Sequence, residues 1–144
     1  MLHAHSGLRW LALIVIIYAI INAFTGVKQV KDFEKKDKMI GLMTLILFHT
    51  QLLIGLGLYF TSVKVSFTSG FMKDSLLRFF ALEHPLMMLI SIALVTIGYS
   101  KSKKESTSRG KFRKILVFYS IALLILLAGI PWPFRTALGV SGWF

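Results

Sequence analysis

The chain has 144 residues, 56% of them hydrophobic, with a net charge of +11 and no cysteine. Soluble domains are ordinarily about 45–50% apolar. The lack of cysteine excludes disulfides, thiolate metal sites, iron–sulfur clusters and covalently attached c-type haem, so any cofactor must use other ligands. Because the positive charge lies in short runs between long apolar segments, it indicates membrane topology and attraction to anionic lipid, and it excludes nucleic acid as the expected partner.

Four apolar stretches are each long enough to cross a bilayer, whose hydrocarbon core requires about 20 largely apolar residues. The sequence predicts spans at about 8–27, 39–60, 79–99 and 115–132. They are joined by loops 28–38, 61–78 and 100–114, and a short interfacial helix is expected within 64–78. Short loops between antiparallel spans predict an all-α integral membrane protein, a four-helix up-down bundle that forms one domain over residues 1–144.

Basic residues are distributed unevenly between the two ends of the predicted bundle. The loops 28–38 and 100–114 hold five and seven Lys or Arg residues, respectively. The opposite end holds the remaining five, which are Arg9, Lys64, Lys73, Arg78 and Arg135. An excess of Lys and Arg marks the cytoplasmic side. We therefore expect a membrane protein with an uncleaved first span, both chain ends outside and both lysine-rich loops in the cytoplasm.

Aromatic residues are expected in the outer membrane interface. All three tryptophans, Trp10, Trp132 and Trp143, fall at the outer ends of the predicted spans. Trp and Tyr are enriched at membrane–water interfaces. The C-terminal tail, with Trp143 and Phe144, is therefore predicted to lie flat along the outer surface.

Two spans carry a stripe of small residues that begins with a histidine at the outer end. The first stripe follows helical spacing through His5, Arg9, Ala12, Ile16, Ala19, Ala23 and Gly26. The second follows it through His84, Met88, Ser91, Val95 and Gly98. Such stripes indicate either close packing of helices or two inward faces that leave room for a flat cofactor.

His49 lies mid-span in the segment LILFHTQLLIG, where only apolar side chains share its helical face. An ionisable side chain at membrane depth must be paired. We expect His49 to ligate a cofactor, to bond a residue on another helix such as Tyr18, Asn22 or Ser91, or to relay protons.

His84 lies near the outer end of the third span, between Glu83 and Pro85. Because proline has no N–H, one backbone carbonyl at the start of this helix loses its donor. His84 is interpreted as a ligand or as a helix-end residue satisfied by water and lipid headgroups. Glu83 could then be a partner of that ligand, a proton acceptor or a metal ligand.

His3 and His5 stand just before the first predicted span, where Ser6 is a candidate helix cap. At 1.5 Å per residue, His49 lies roughly 15 Å below the outer end of its span, His84 roughly 7–8 Å below, and His5 roughly 4–5 Å above. Depth therefore favours His49 as the partner of His84. His5 is favoured instead if spans one and three face each other diagonally.

Arg9, Arg78 and Arg135 are the arginines of the outer end. Arginine pairs bidentately with carboxylates, including haem propionates. Arg9 also lies four residues from His5, on the same helix face. These arginines are candidates for cofactor binding or, alternatively, for contact with lipid phosphate.

The segments HAHSGLRW, FHTQLLIGLGLYF, RFFALEHPLMML and IPWPF resemble a family of small bacterial four-span membrane proteins of the cytochrome b-like type. The resemblance covers nearly the whole chain. It implies haem b, ligated among His5, His49 and His84, and a role in electron transfer. Larger four-helix di-haem cytochromes need ligand pairs at two depths, whereas no histidine lies in the cytoplasmic half here, so at most one haem is expected.

Three functions remain open from the sequence. The first is a single-haem electron-transfer protein whose partner is a quinone, another cytochrome or a respiratory complex. The second is a metal-binding or metal-transport protein whose ligands are His3, His5, His49, His84 and Glu83. The third, compatible with the first, is a non-catalytic accessory subunit of a larger inner-membrane assembly.

Overall fold

The computed structural model describes residues 1–135 and 138, and this part of the chain is helical, without strands. The predictions for Trp143 and Phe144 lie outside the described residues. In chain order the elements are α1 (Leu2–Lys28), α2 (Lys35–Thr61), α3 (Ser75–Arg78), a π-helical turn (Phe79–Glu83), α4 (His84–Lys104) and α5 (Ser108–Gly129). The third candidate span is continuous over Ser75–Lys104.

Four helices are long and apolar enough to cross a membrane, as the sequence predicts. The first three extend beyond the predicted spans at both ends, because flanking polar residues such as lysine are good helix formers. Helix α5 begins before the predicted position 115 but ends at Gly129, short of the predicted 132. Helix α1 begins at Leu2 and therefore includes His3 and His5. The cap predicted at Ser6 is wrong, since this residue lies in the second turn of the helix.

The connection between α4 and α5 spans only residues 105–107 rather than the predicted 100–114. Helix α5 begins where the Thr107 hydroxyl accepts the Gly110 N–H at 3.0 Å. It ends at Gly129, because Pro131 disfavours helical backbone at the preceding residue, Ile130. The segment 64–78, where a short interfacial helix is expected, contains only α3, which is not separate from the third span: it runs directly into it through the π-helical turn.

The long helices pack in a ring in which α1 contacts α2 and α5, and α4 likewise contacts α2 and α5. Consecutive long helices are antiparallel: Gln51, in the second half of α2, donates to the His5 carbonyl near the start of α1, and Ser102, near the end of α4, donates to the Lys111 carbonyl near the start of α5. Helices α1 and α4 therefore lie diagonally across the bundle. This arrangement places the two predicted histidine stripes opposite each other.

Both small-residue stripes face the interior, as predicted. On α1 the buried members are Ala12, Ile16, Ala19, Ala23 and Gly26, and on α4 they are Ser91, Val95 and Gly98. The contact between α4 and α5 is close, because a Cβ atom added at Gly98 would lie 2.5 Å from Phe118 Cβ. Small residues thus allow the backbones to approach.

Polar bonds join the helices at the end opposite the histidines, which we call the lysine end (residues 28–38 and 101–114). Asn22 Nδ2 donates to Asp37 Oδ1 at 2.8 Å, and the buried Tyr119 hydroxyl donates to the Gly41 carbonyl at 2.9 Å. Ser102 Oγ donates to the Lys111 carbonyl at 3.0 Å. These bonds fix this end of the bundle.

Candidate cofactor site at the histidine end

His84 is anchored to α5 by its own ring. Its Nδ1 lies 2.8 Å from the Gly129 carbonyl oxygen. Because a carbonyl can only accept, Nδ1 carries the proton and Nε2 carries the lone pair. A backbone carbonyl that holds one ring nitrogen in this way fixes the tautomer and orientation of a ligating histidine.

The backbone just before His84 is a π-helical turn, Phe79–Glu83. Such turns occur frequently at functional sites. In an α-helix Pro85 would leave the Ala81 carbonyl without its donor. The Tyr59 hydroxyl of α2 donates to this carbonyl at 2.9 Å. Tyr59 therefore donates the hydrogen bond that Pro85 cannot donate. This bond also joins α2 to the turn that carries His84.

His5 meets His84 from the opposite side of the bundle. The two imidazole centres are 6.3 Å apart, and the ring planes are inclined at 77°. His5 Nδ1 is buried and has no hydrogen-bond partner in the part of the chain that the structure describes. The ring lies against Gly55, where an added Cβ would approach His5 Cε1 to 3.3 Å. Gln51 Nε2 donates to the His5 carbonyl at 2.7 Å and holds this turn of α1 against α2.

Aromatic rings surround the pair on the side of α4. The ring centres of Phe79 and Phe80 lie 5.9 and 6.5 Å from that of His84. Phe79 is only 1% exposed, so its ring forms part of the wall behind the imidazole. The surroundings of His84 are therefore mainly apolar.

Two of the three candidate arginines lie close to the histidines or their neighbours. Arg9 is half-buried on the His5 helix, with its guanidinium carbon 5.3 Å from the Trp10 ring centre. The guanidinium carbon of Arg135 lies 5.0 Å from the Phe79 ring centre. Arg135 Nη1 donates to the Ala128 carbonyl at 3.1 Å, next to the carbonyl that holds His84.

Arg78 and Glu83 are engaged with each other. Arg78 Nε donates to Glu83 Oε1 at 2.6 Å, and Arg78 Nη1 donates to the Met72 carbonyl at 2.9 Å. The carboxylate that the sequence offered as a ligand thus has a cationic partner. Among the described residues, no group of three or more His, Asp or Glu side chains is placed to hold a metal ion.

His49 is not brought to the other histidines. It is exposed on the outer face of α2, and its Nδ1 donates to the Leu45 carbonyl of the same helix at 2.9 Å. The expectation that it needs another helix for a hydrogen bond is therefore wrong, because the carbonyl one turn earlier serves. Of the residues expected as alternative partners, Asn22 bonds Asp37 and Ser91 Oγ bonds the Ala122 carbonyl.

Of the candidate histidines, the structure brings together His5 and His84, which lie on diagonal helices. His3 is exposed in the first turn of α1. Sequence reasoning missed Tyr59, Gln51 and Gly129 as supporting residues. One of these contacts is indicated in the sequence, because Pro85 leaves a backbone carbonyl without a donor. The sequence does not identify Tyr59 as the residue that supplies the donor.

The fold and these contacts define a helical chain with four helices of membrane-spanning length and a two-histidine pair at one end. Compared with models of protein families, with curated proteins and with solved structures, the sequence matches none.

Proposed function

We propose that this protein is a small b-type cytochrome-like membrane protein that holds one haem between His5 and His84 and transfers electrons. The observation that carries the proposal is the meeting of these two imidazoles, with centres 6.3 Å apart, from helices on opposite sides of the bundle. The histidine end would lie at the outer face of the bacterial inner membrane. The excess of Lys and Arg at the other end supports this orientation.

The spacing of the two rings fits a shared metal centre. The two imidazole centres lie 6.3 Å apart, which is close enough for both rings to hold one metal group together. The donor set of two imidazoles, without thiolate or free carboxylate, is one that haem iron accepts.

Each ring also has a nitrogen available for ligation. His84 donates through Nδ1 to Gly129, which leaves the Nε2 lone pair for a metal. His5 has a buried Nδ1 without a hydrogen-bond partner in the described residues. A buried polar atom without a partner costs about 1–3 kcal/mol, which a ligand at this place would recover.

The arginines would bind the propionate carboxylates of the haem. Arg9 and Arg135 lie at the same end as the histidines, on α1 and just after α5. Their guanidinium groups can donate bidentate hydrogen bonds to propionate carboxylates. When bound, haem supplies one-electron exchange at its iron, and a quinone or a respiratory complex would be the redox partner.

A metal-handling function has less support. Because Glu83 is paired with Arg78, only two histidines remain as candidate metal ligands at this end of the described residues. Membership of a larger assembly is favoured by one observation. His49 and Thr50 are exposed at mid-span on α2, where polar side chains rarely face lipid. A photocrosslinking residue at position 49 would capture a partner subunit in native membranes if α2 is covered, and only lipid if it is not.

The test of the main proposal is the reduced-minus-oxidised absorption spectrum of the protein purified in detergent, together with its haem content. We expect a b-type spectrum and no more than one haem per chain. A protein that carries no haem after expression with ample haem supply, and binds none on titration, would overturn the proposal.

A further inference from the structure

A cleft at the lysine end is lined by four lysines. It has a volume of about 420 Å³ and lies between the start of α2, the end of α4 and the start of α5. The lysines are Lys35, Lys38, Lys103 and Lys111, and we call this feature the lysine cleft. Its size is within the range of about 300–1,000 Å³ that is typical of small-molecule sites.

The positive charge of the lysine cleft is not neutralised by carboxylates. None of its four lysines forms an ion pair with a carboxylate of residues 1–135 or 138. Glu34 is the one acidic residue of the lining, and its carboxylate pairs with Lys36 at 3.2 Å. The cleft is therefore a concentrated cationic site.

A second cleft at the same end has the opposite character. It is lined by three carboxylates, those of Asp32, Glu34 and Asp37, together with only two lysines. Apart from Glu34, which lines both clefts, the carboxylates lie in the second cleft, and the lysine cleft keeps a net positive charge.

The walls of the lysine cleft are fixed by interactions within the protein. The Phe33 N–H donates to Ser108 Oγ at 2.9 Å, and Ser102 Oγ donates to the Lys111 carbonyl at 3.0 Å. Aromatic rings position two of the ammonium groups. Lys111 Nζ lies 5.6 Å from the Phe33 ring centre, and Lys103 Nζ lies 5.7 Å from that of Tyr99. Two of the four charges are thus held near the cleft before any ligand arrives.

We propose that the lysine cleft binds the phosphate of an anionic glycerophospholipid. Lysine is a strong point-charge partner of phosphate, and basic pockets between membrane helices on the cytoplasmic side bind anionic headgroups. Lys35 and Lys103 stand at the ends of helices long enough to cross a membrane, so the cleft lies where headgroups are concentrated. A lipid in this place would join α2 to α4 and α5, and its binding does not depend on the histidine pair.

The test is a titration of the detergent-purified protein with dioleoyl phosphatidylglycerol, read by native mass spectrometry. We expect one tightly held lipid per chain, with phosphatidylcholine held more weakly because the lysines repel its choline group. Lys38→Gln/Lys103→Gln should weaken phosphatidylglycerol binding roughly tenfold or more. The charge-preserving Lys38→Arg/Lys103→Arg should bind nearly as well as the unaltered protein, and it keeps the test decisive if the glutamine variant folds poorly.

The matched control is Lys101→Gln/Lys104→Gln. It removes the same charge from the same end and also one lysine–aromatic contact, since Lys101 Nζ lies 5.9 Å from the Phe118 ring centre. Equal weakening by both glutamine pairs would overturn the proposal, because the effect would then be one of general charge. Displacement of the lipid by inorganic phosphate at comparable concentration would show a site for free phosphate and would likewise overturn it.

Discussion

The Nδ1–H of His84 donates to the Gly129 carbonyl oxygen, 2.8 Å away, at the last residue of α5. Carbonyls in the last turn of a helix have no donor within the helix. The ring of His84 uses one of them, which orients the imidazole and joins the start of α4 to the end of α5. Because Pro131 ends α5 at Gly129, it helps to position a histidine that is 45 residues from Gly129 in sequence.

The hydroxyl of Tyr59 should stabilise the turn that carries His84. Tyr59→Phe removes the donor to the Ala81 carbonyl and should lower the free energy of unfolding by about 1–2 kcal/mol. Unfolding in detergent by denaturant or heat measures this loss. The matched control is Tyr18→Phe, at an exposed tyrosine whose hydroxyl makes no hydrogen bond with the described residues, and its effect should stay within about 0.5 kcal/mol.

A variant of Pro85 tests whether the Tyr59 hydroxyl compensates for the missing N–H of this proline. Pro85→Ala restores an N–H that can serve the Ala81 carbonyl. Tyr59→Phe should therefore cost less in the Pro85→Ala background than in the unaltered protein. Equal losses in both backgrounds would show that the hydroxyl does not compensate for the proline.

Close approach of α4 and α5 should make Gly98 intolerant of a side chain. Gly98→Ala places a Cβ 2.5 Å from Phe118 Cβ, so the helices must separate, and the protein should lose about 1–3 kcal/mol of stability. Gly7→Ala is the control, because nothing lies within 4 Å of a Cβ there. Within α1 this change should instead stabilise the protein by up to about 1 kcal/mol through helix propensity. Opposite signs of the two effects in thermal unfolding are the expected result.

The orientation in the membrane can be tested with single cysteines, since the chain has none of its own. Ser69→Cys, in the exposed segment between α2 and α3, should react with a membrane-impermeant maleimide in spheroplasts. Ser106→Cys, in the exposed connection between α4 and α5, should react only after permeabilisation. The reverse labelling pattern would place the lysine end outside and contradict the orientation that the basic residues predict.

Most of the fold could be predicted from the sequence, because bilayer thickness sets the length of an apolar helix. Four such helices and the inward stripes through Ala12 and Val95 are confirmed. An apolar pattern places the start of α1 too late, because the polar residues before Leu8 are helical but do not contribute to that pattern. This error affects the candidate site, because the sequence places His5 above the first span, whereas His5 lies within α1.

The sequence predicts the partner of His84 only as one of two alternatives, His49 or His5. Depth along separate helices favoured His49 as the partner of His84, but depth says nothing about rotation about a helix axis. In the structure His49 points away from the bundle, and the diagonal placement of α1 and α4 brings His5 to His84. Contacts such as Tyr59 to Ala81 and Gln51 to His5 join distant segments, and neither composition nor spacing identifies them.

The central claim is that His5 and His84, rather than His49, hold a haem. The most direct measurement compares haem content and reduced-minus-oxidised spectra of His5→Ala, His84→Ala and His49→Ala, each purified in the same way. His49→Ala is the matched control, since it removes an exposed imidazole from the middle of α2. We expect it to keep the b-type spectrum of the unaltered protein, whereas each of the other two should lower haem affinity at least about tenfold to a hundredfold. Loss of haem in His49→Ala with retention in His5→Ala would contradict the assigned pair, and absence of haem from all four proteins would contradict the function itself.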